Sequence, residues 1–308
     1  MTVAAGAFRC RMGSIGYSAL MPRRHWLSLL RRVVRLLWSQ PQRSADLISD
    51  SYDRIAPEYD VAWTDHMRPL TLELLDRLGN VRGAEALDLA CGTGFVTRQL
   101  AERTGKKPVG VDRSAGMLRV AHEQHGDVCR FVRADIASFL REQPSASFDV
   151  ITCGWGLGYS EPWTVLREAR RLLRPGGRLG VVDNSLFSLA EVMWASVLAF
   201  AEHPQSLRHV LRVRFLPTTS VLRLLMVLAG LRVEAAWSGA KVHHVPTGAD
   251  SIARLQRTGA AAGFERAASE SDAERVYARF AAIMTERYAT PDGIPITHRY
   301  IAAVGRRP

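Results

Sequence analysis

Between residues 85 and 186 this 308-residue chain alternates short apolar runs with segments of helical period. Ala86, Leu87 and Leu89 cluster as a buried parallel strand does, Ala90-Cys91-Gly92-Thr93-Gly94 makes a glycine-containing turn, and FVTRQLAER follows with helical spacing. Strand-like runs recur at 108–111, at 129–134 and at the start of SFDVITCGWGLGY. A helix at 161–173 is stopped by Arg174-Pro175-Gly176-Gly177 before a fifth strand, RLGVVDN. Upstream, the pattern predicts helices at 46–64 and at 68–78. Strands and helices alternating in this way build a mostly parallel sheet with helices on both faces.

Beyond residue 186 the pattern changes. FSLAEVMWASVLAF and SVLRLLMVLAGL are apolar nearly all round a helix, as helices are when they are buried or face something apolar. Residues 187–250 are therefore expected to form a helical cap that shapes an acceptor pocket and meets a membrane surface. The sixth strand is expected at 229–237 in preference to 262–269, and the seventh at 299–304, paired antiparallel. Near the start, RHWLSLLRRVVRLLW (24–38) gathers Arg24, Ser28, Arg31, Arg32 and Arg35 in one sector and fills the remainder with tryptophan, leucine and valine. Two readings stay open for it: a helix lying in a membrane surface, or one packed on the domain with a solvated arginine face. It is too short and too charged to span a bilayer. Residues 1–22 contain no acid and fit a leader, a disordered tail or a true start at Met21.

The chemistry begins at the glycine turn. Gly92 and Gly94 carry no Cβ, so the backbone there can approach a nucleotide-like ligand closely. Asp112 stands 18 residues after Gly94 at the tip of the second strand, placed to accept hydrogen bonds from both ribose hydroxyls. Asp135 ends the third strand, where its carboxylate can receive the exocyclic amine of adenine.

DLACGTG (88–94), VGVDRSAGML (109–118), FVRADI (131–136), FDVITCGWGL (148–157) and LLRPGGRLGVVD (172–183), preceded by SYDRIAPEYD (51–60), resemble the class I S-adenosylmethionine-dependent methyltransferases of the ubiquinone/menaquinone-biosynthesis type. Ala90 stands where many members have glycine. A nicotinamide-binding domain would need G-x-G-x-x-G, which is absent. The resemblance implies a Rossmann-like, seven-stranded, mostly parallel α/β sheet. Its core would span 46–186 and be completed by 251–308, behind a basic leader with an amphipathic helix at 1–45. It further implies S-adenosyl-L-methionine as cofactor, held by Asp88, Ala90, Cys91, Gly92, Thr93, Gly94, Asp112, Arg113, Met117, Ala134, Asp135, Ile136, Cys153, Gly154 and Trp155. Tyr52 and Tyr59 would fold over it from the entry helix.

In that family the turn carrying Trp155 and Tyr159 lies beside the transferring methyl. Tyr159, Asp183 and His243 are the candidate catalytic residues. Asp183 ends the fifth strand, on the side where parallel sheets place their sites. His243, read with His244 in a linker, could serve as a neutral base. No [DNS]-P-P-[YFW] or Pro-Cys motif follows the fourth strand, which disfavours amide-nitrogen, adenine and cytosine C5 methylation. An aromatic turn suits an apolar or cationic acceptor, because π faces attract a sulfonium. The expected function is methyl transfer to a hydrophobic small molecule or lipid-like acceptor. A soluble natural-product O- or N-methyltransferase, an RNA methyltransferase and a non-catalytic cofactor-binding protein stay open as alternatives.

The formal charge of +11 modifies this picture less than it first suggests. Eight arginines and no acid fall in residues 1–45, and five more arginines without an acid fall in 203–233. Removing that +8 and +5 from +11 leaves −2 for the remainder, so no nucleic-acid partner is expected. Cys10, Cys91, Cys129 and Cys153 have no C-x-x-C spacing, which suits a reducing, cytoplasmic compartment without a metal site. Peripheral contact with the inner face of the membrane would run through 24–38.

Overall fold

The computed structural model describes residues 22–40, 43–258 and 266–308. Residues 1–21, on which the leader and Met21 readings fall, and 259–265, part of the alternative sixth strand, lie outside the described residues. Strands β1 (Ala86–Leu89), β2 (Val109–Asp112), β3 (Arg130–Arg133), β4 (Phe148–Gly154), β5 (Leu173–Asn184), β6 (Arg232–Val245) and β7 (Ile294–Arg306) form one sheet in the order β3-β2-β1-β4-β5-β7-β6. The first five run parallel, and β7 is antiparallel to both β5 and β6. The order reverses between β1 and β4, and ligand crevices of open α/β sheets lie at that switch, at the carboxyl ends of the strands.

Side chains alternate between the two faces of the sheet. Leu87, Leu89, Ile151, Leu179 and Val181 enter one core with α6 (Pro162–Leu172) and α8 (Thr219–Leu228). Ala86, Val150 and Val182 enter another, with Leu74 and Leu75 of α2 (Arg43–Arg77), Leu78 just after it and Leu100 of α3 (Phe95–Thr104). Each such leucine is almost completely buried, which stabilises the fold by roughly 1.5–3 kcal/mol. Helices α4 (Ala115–His125) and α5 (Ile136–Glu142) follow β2 and β3 and complete the flanks.

The structure departs from the sequence reading at four places. The two helices expected at 46–64 and 68–78 are one 35-residue helix, α2, running through Pro57 and Pro69. Ala56, Met67, Thr71, Leu74 and Leu75 of this helix are buried, and this packing outweighs the two backbone bonds that proline removes. Arg174-Pro175-Gly176-Gly177 is a bulge within β5 and not a break before it, because Phe148 pairs with Leu173 while Val150 pairs with Arg178. His243 and His244 lie in β6 and not in a linker, paired with Ile296 and Pro295 of β7. The second apolar stretch of the expected cap, α8, is a sheet-flanking helix with Leu222 and Met226 buried in the main core. The sixth and seventh strands fall where expected, both longer than the sequence suggested.

Beyond the sheet, β6 and β7 overhang and bury Val245, Ile294 and Ile296 against α7 (Ala190–Glu202), α9 (Gly248–Thr258) and α10 (Ala273–Tyr288). Helix α1 (Arg23–Ser39) leans on this lobe through Trp26, Leu29, Val33 and Leu36. Among the described residues no helix is long and apolar enough to cross a membrane.

Candidate active site

At the carboxyl ends of β1, β2 and β4 a cleft opens between the strand tips and the overlying helix α2. Its floor is the turn after β1. Ala90 takes φ 57° and Gly94 takes φ 90°, and Gly94 then caps the amino end of α3. A Cβ on Gly94 would stand 2.9 Å from the ring of Phe131, so both conformation and space require glycine there.

Asp112 fixes the shape of this floor. Its Oδ2 accepts from the Gly92 N–H at 2.9 Å and its Oδ1 from the Ser114 N–H at 2.9 Å. Burial pushes its carboxyl above the usual carboxylate range, and backbone donors at Ser114, Gly92 and Arg113 pull against that. Asp135 caps α5 by accepting from the Ser138 N–H, and with Ile136 it lines the far wall of the cleft.

The opposite wall is aromatic. Tyr52 packs edge-on against Tyr59 at 5.9 Å and against Tyr159 at 6.2 Å, and Phe215 backs Tyr159 at 5.2 Å. Burial raises all three phenols; Tyr159 is pushed up to about 12, so these hydroxyls keep their protons at neutral pH. Trp155 has φ 61°, a strained value for so bulky a residue, and is held there by its N–H to the Val182 carbonyl and by Nε1 to Thr71 Oγ1 at 2.9 Å.

Of the residues singled out from sequence, Tyr52, Tyr59, Ala90, Cys91, Gly92, Thr93, Asp112, Arg113, Met117, Asp135, Ile136, Gly154, Trp155 and Tyr159 line the cleft. Asp88, Gly94, Ala134 and Cys153 stand behind it. Asp88 is buried beneath the turn, accepting from Thr97 Oγ1 at 2.7 Å and Thr152 Oγ1 at 2.8 Å. Asp183 does not line the cleft either; its Oδ2 accepts from the Gly158 N–H at 2.6 Å and so anchors the Tyr159 turn. His243 lies away from the lining, its ring 6.4 Å from that of His298, with burial and the neighbouring charges of Arg254 and Lys241 lowering it to about 4. Burial, reinforced by Asp112 and Asp88, pushes the Cys91 thiol well up, so it is no thiolate nucleophile.

Sequence reasoning missed how α2 is fastened. Asp46 pairs with Arg113 at 2.5 Å, Asp53 accepts from the Gly116 N–H at 2.8 Å and from Ser114 Oγ, and Asp60 accepts from Thr93 Oγ1 at 2.6 Å. The three acids are spaced by seven, which places them on one stripe of a helix; that repeat was the available signal.

Asp88 and Asp183 are both raised to about 7 by burial. A raised folded-state value means the native chain holds protons that the unfolded chain has released, so stability falls as pH rises from about 4 to about 7. Asp88→Asn should flatten that loss by up to about 4 kcal/mol and melt higher than the parent at pH 8. Thermal melts across this range check it, and an unchanged pH profile refutes it.

A family description, "Methyltransferase domain", matches residues 86–177. The chain is 34% identical over 145 residues to a demethylmenaquinone methyltransferase of Lactococcus lactis, covering 45% of this chain and 56% of that protein. It is 32% identical over 209 residues to a ubiquinone/menaquinone biosynthesis C-methyltransferase of Hahella chejuensis, covering 60% of this chain and 83% of that one. The chain thus spans little more than half of the first relative and most of the second. The [4+2]-cyclase SpnF superposes with a TM-score of 0.56 at 19% identity, over 86% of this chain and 96% of that one. That likeness supports the fold alone. On the motif order, the strand order and the match across the Hahella protein, the chain belongs to the class I S-adenosylmethionine-dependent methyltransferases of the ubiquinone/menaquinone-biosynthesis type.

Proposed function

We propose that the chain transfers a methyl group from S-adenosylmethionine to a hydrophobic, quinol-like ring. The observation that carries the reading is the joining, in one cleft, of a polar strand-tip floor to a buried aromatic wall. The relatives act on quinone precursors, and such a planar apolar ring suits that wall. Bound here, S-adenosylmethionine supplies an electrophilic methyl on a sulfonium sulfur. Asp112 would take the ribose hydroxyls, Asp135 and Ile136 the adenine, and the turn at Ala90–Thr93 the amino-acid portion.

The residues of the chain then position and desolvate the reactants. The π faces of Tyr52, Tyr59 and Tyr159 favour a cationic sulfur over a neutral one, and the buried wall keeps water from competing. Holding the acceptor carbon in line with the methyl supplies much of the acceleration in such a displacement. The Tyr52 ring packs edge-on against that of Tyr159 and helps fix it. The protonated phenols can donate to an acceptor oxygen but cannot withdraw its proton. Tyr159→Phe should therefore lower kcat/KM for the acceptor by about tenfold while leaving cofactor affinity within about threefold. Steady-state kinetics and calorimetry separate the two.

The direct experiment incubates the protein with methyl-labelled S-adenosylmethionine and a demethylated, isoprenoid-bearing naphthoquinol, then extracts with organic solvent. Label on a ring carbon of the extracted quinone is expected. Cofactor binding without labelled quinone, and label instead on another lipid or a soluble product, would overturn the acceptor assignment.

A further inference from the structure

We propose that the outward face of α1 docks on the surface of an anionic phospholipid bilayer. The helix has two apolar faces. The inner one, Trp26, Leu29, Val33 and Leu36, packs against the lobe. The outer one is solvent-facing: Leu27 is 54% exposed, Leu30 59%, Val34 55% and Trp38 91%. At 100° per residue these four fall within an arc of about 80°, a continuous stripe along the helix. Arg24, Arg31 and Arg35, all exposed, border one side of the stripe, exposed Arg23 closes its amino end within the same arc, and no acid occurs in α1. Arg32 is not part of that border, since it turns inward and its Nε donates to the Leu207 carbonyl at 2.9 Å. The patch continues onto α7, where Trp194 stacks on Trp26 at 6.3 Å and stays partly exposed with Met193.

A tightly held apolar stripe with a one-sided arginine border and a terminal tryptophan matches acyl chains beside anionic headgroups. A second copy of the chain fits less well, because an antiparallel two-fold pairing of the stripe would bring its own arginine border against itself. Docking on lipid is separate from methyl transfer, and vesicle binding is measured with no acceptor present.

The test is flotation of the full chain with phosphatidylcholine vesicles, with and without phosphatidylglycerol. The parent should float with the anionic vesicles and far less with the neutral ones, and added salt should weaken it. Leu30→Ser, Val34→Ser and Trp38→Ser combined should lower partitioning at least about tenfold. These side chains face solvent, so the variant should keep its melting temperature and its S-adenosylmethionine affinity, which show it is folded. Arg24→Gln, Arg31→Gln and Arg35→Gln combined should reduce anionic binding to the neutral level. The proposal fails if the parent stays behind with anionic vesicles, or if the triple serine variant floats as the parent does. It also fails if the stripe instead supports a concentration-dependent dimer that does not float.

Discussion

Asp112→Ala will bind S-adenosylmethionine at least about a hundredfold more weakly than the parent, read by calorimetry at constant salt. The carboxylate is half-buried at the tip of β2 and accepts from two backbone donors, Gly92 and Ser114, one on each oxygen. Removing it leaves both N–H groups unsatisfied at the cleft floor, at about 1–3 kcal/mol each, before any loss of contact with the ribose. The turn after β1 then has no fixed geometry to offer the ligand. Asp112→Asn keeps the volume and one acceptor and should fall between the two. A change smaller than about threefold for alanine would show that Asp112 neither shapes nor fills the site.

Gly156→Ala should lower stability by about 3 kcal/mol, the upper end of the overpacking range, and Ala90→Gly should restore most of it. A Cβ at Gly156 would stand 2.2 Å from the Ala90 Cβ, a distance no non-bonded pair of carbons tolerates. Ala90 cannot step aside, because Cys91 is bonded through its N–H to the Val111 carbonyl and Trp155 is fixed by the Val182 carbonyl. Glycine at Ala90 removes the obstructing carbon and also relieves a left-handed backbone that disfavours any side chain by about 1–2 kcal/mol. The double variant should therefore be more stable than Gly156→Ala alone. Thermal melts of the four proteins decide it: equal melting of Gly156→Ala and the parent, or no recovery in the double variant, contradicts this account of the two turns.

Much of the site was legible because its signals are local. A strand, a glycine turn and an acid at the next strand tip lie within one stretch of chain, and the structure brings Gly92 and Asp112 into direct contact. The first five strands and the antiparallel seventh could be read for the same reason, since each buried strand is a short apolar run between turn residues. What could not be read depends on contacts distant in sequence. Phe215 meets Tyr159 across more than fifty residues, and nothing in its neighbourhood announces a cleft. Helix α2 was read as two, ending at 64 and restarting at 68, whereas the structure carries one helix through that stretch and buries Met67, Leu74 and Leu75 against elements distant in sequence. His243 read as a linker residue because the β6 overhang alternates buried and exposed positions only weakly, and its pairing partner lies at Ile296.

The described residues that line the cleft all lie between Ala45 and Ser160, and residues beyond 186 back the aromatic wall through Phe215 behind Tyr159 and Tyr300 beside Trp155. Inheritance can act on the two parts separately. On the proposed assignment, sequence drift in the lobe would leave the nucleotide contacts intact, while a single exchange at Phe215 would reshape the ring offered to an incoming acceptor. A lineage of such proteins could thus change what it methylates without relearning how to hold the methyl donor.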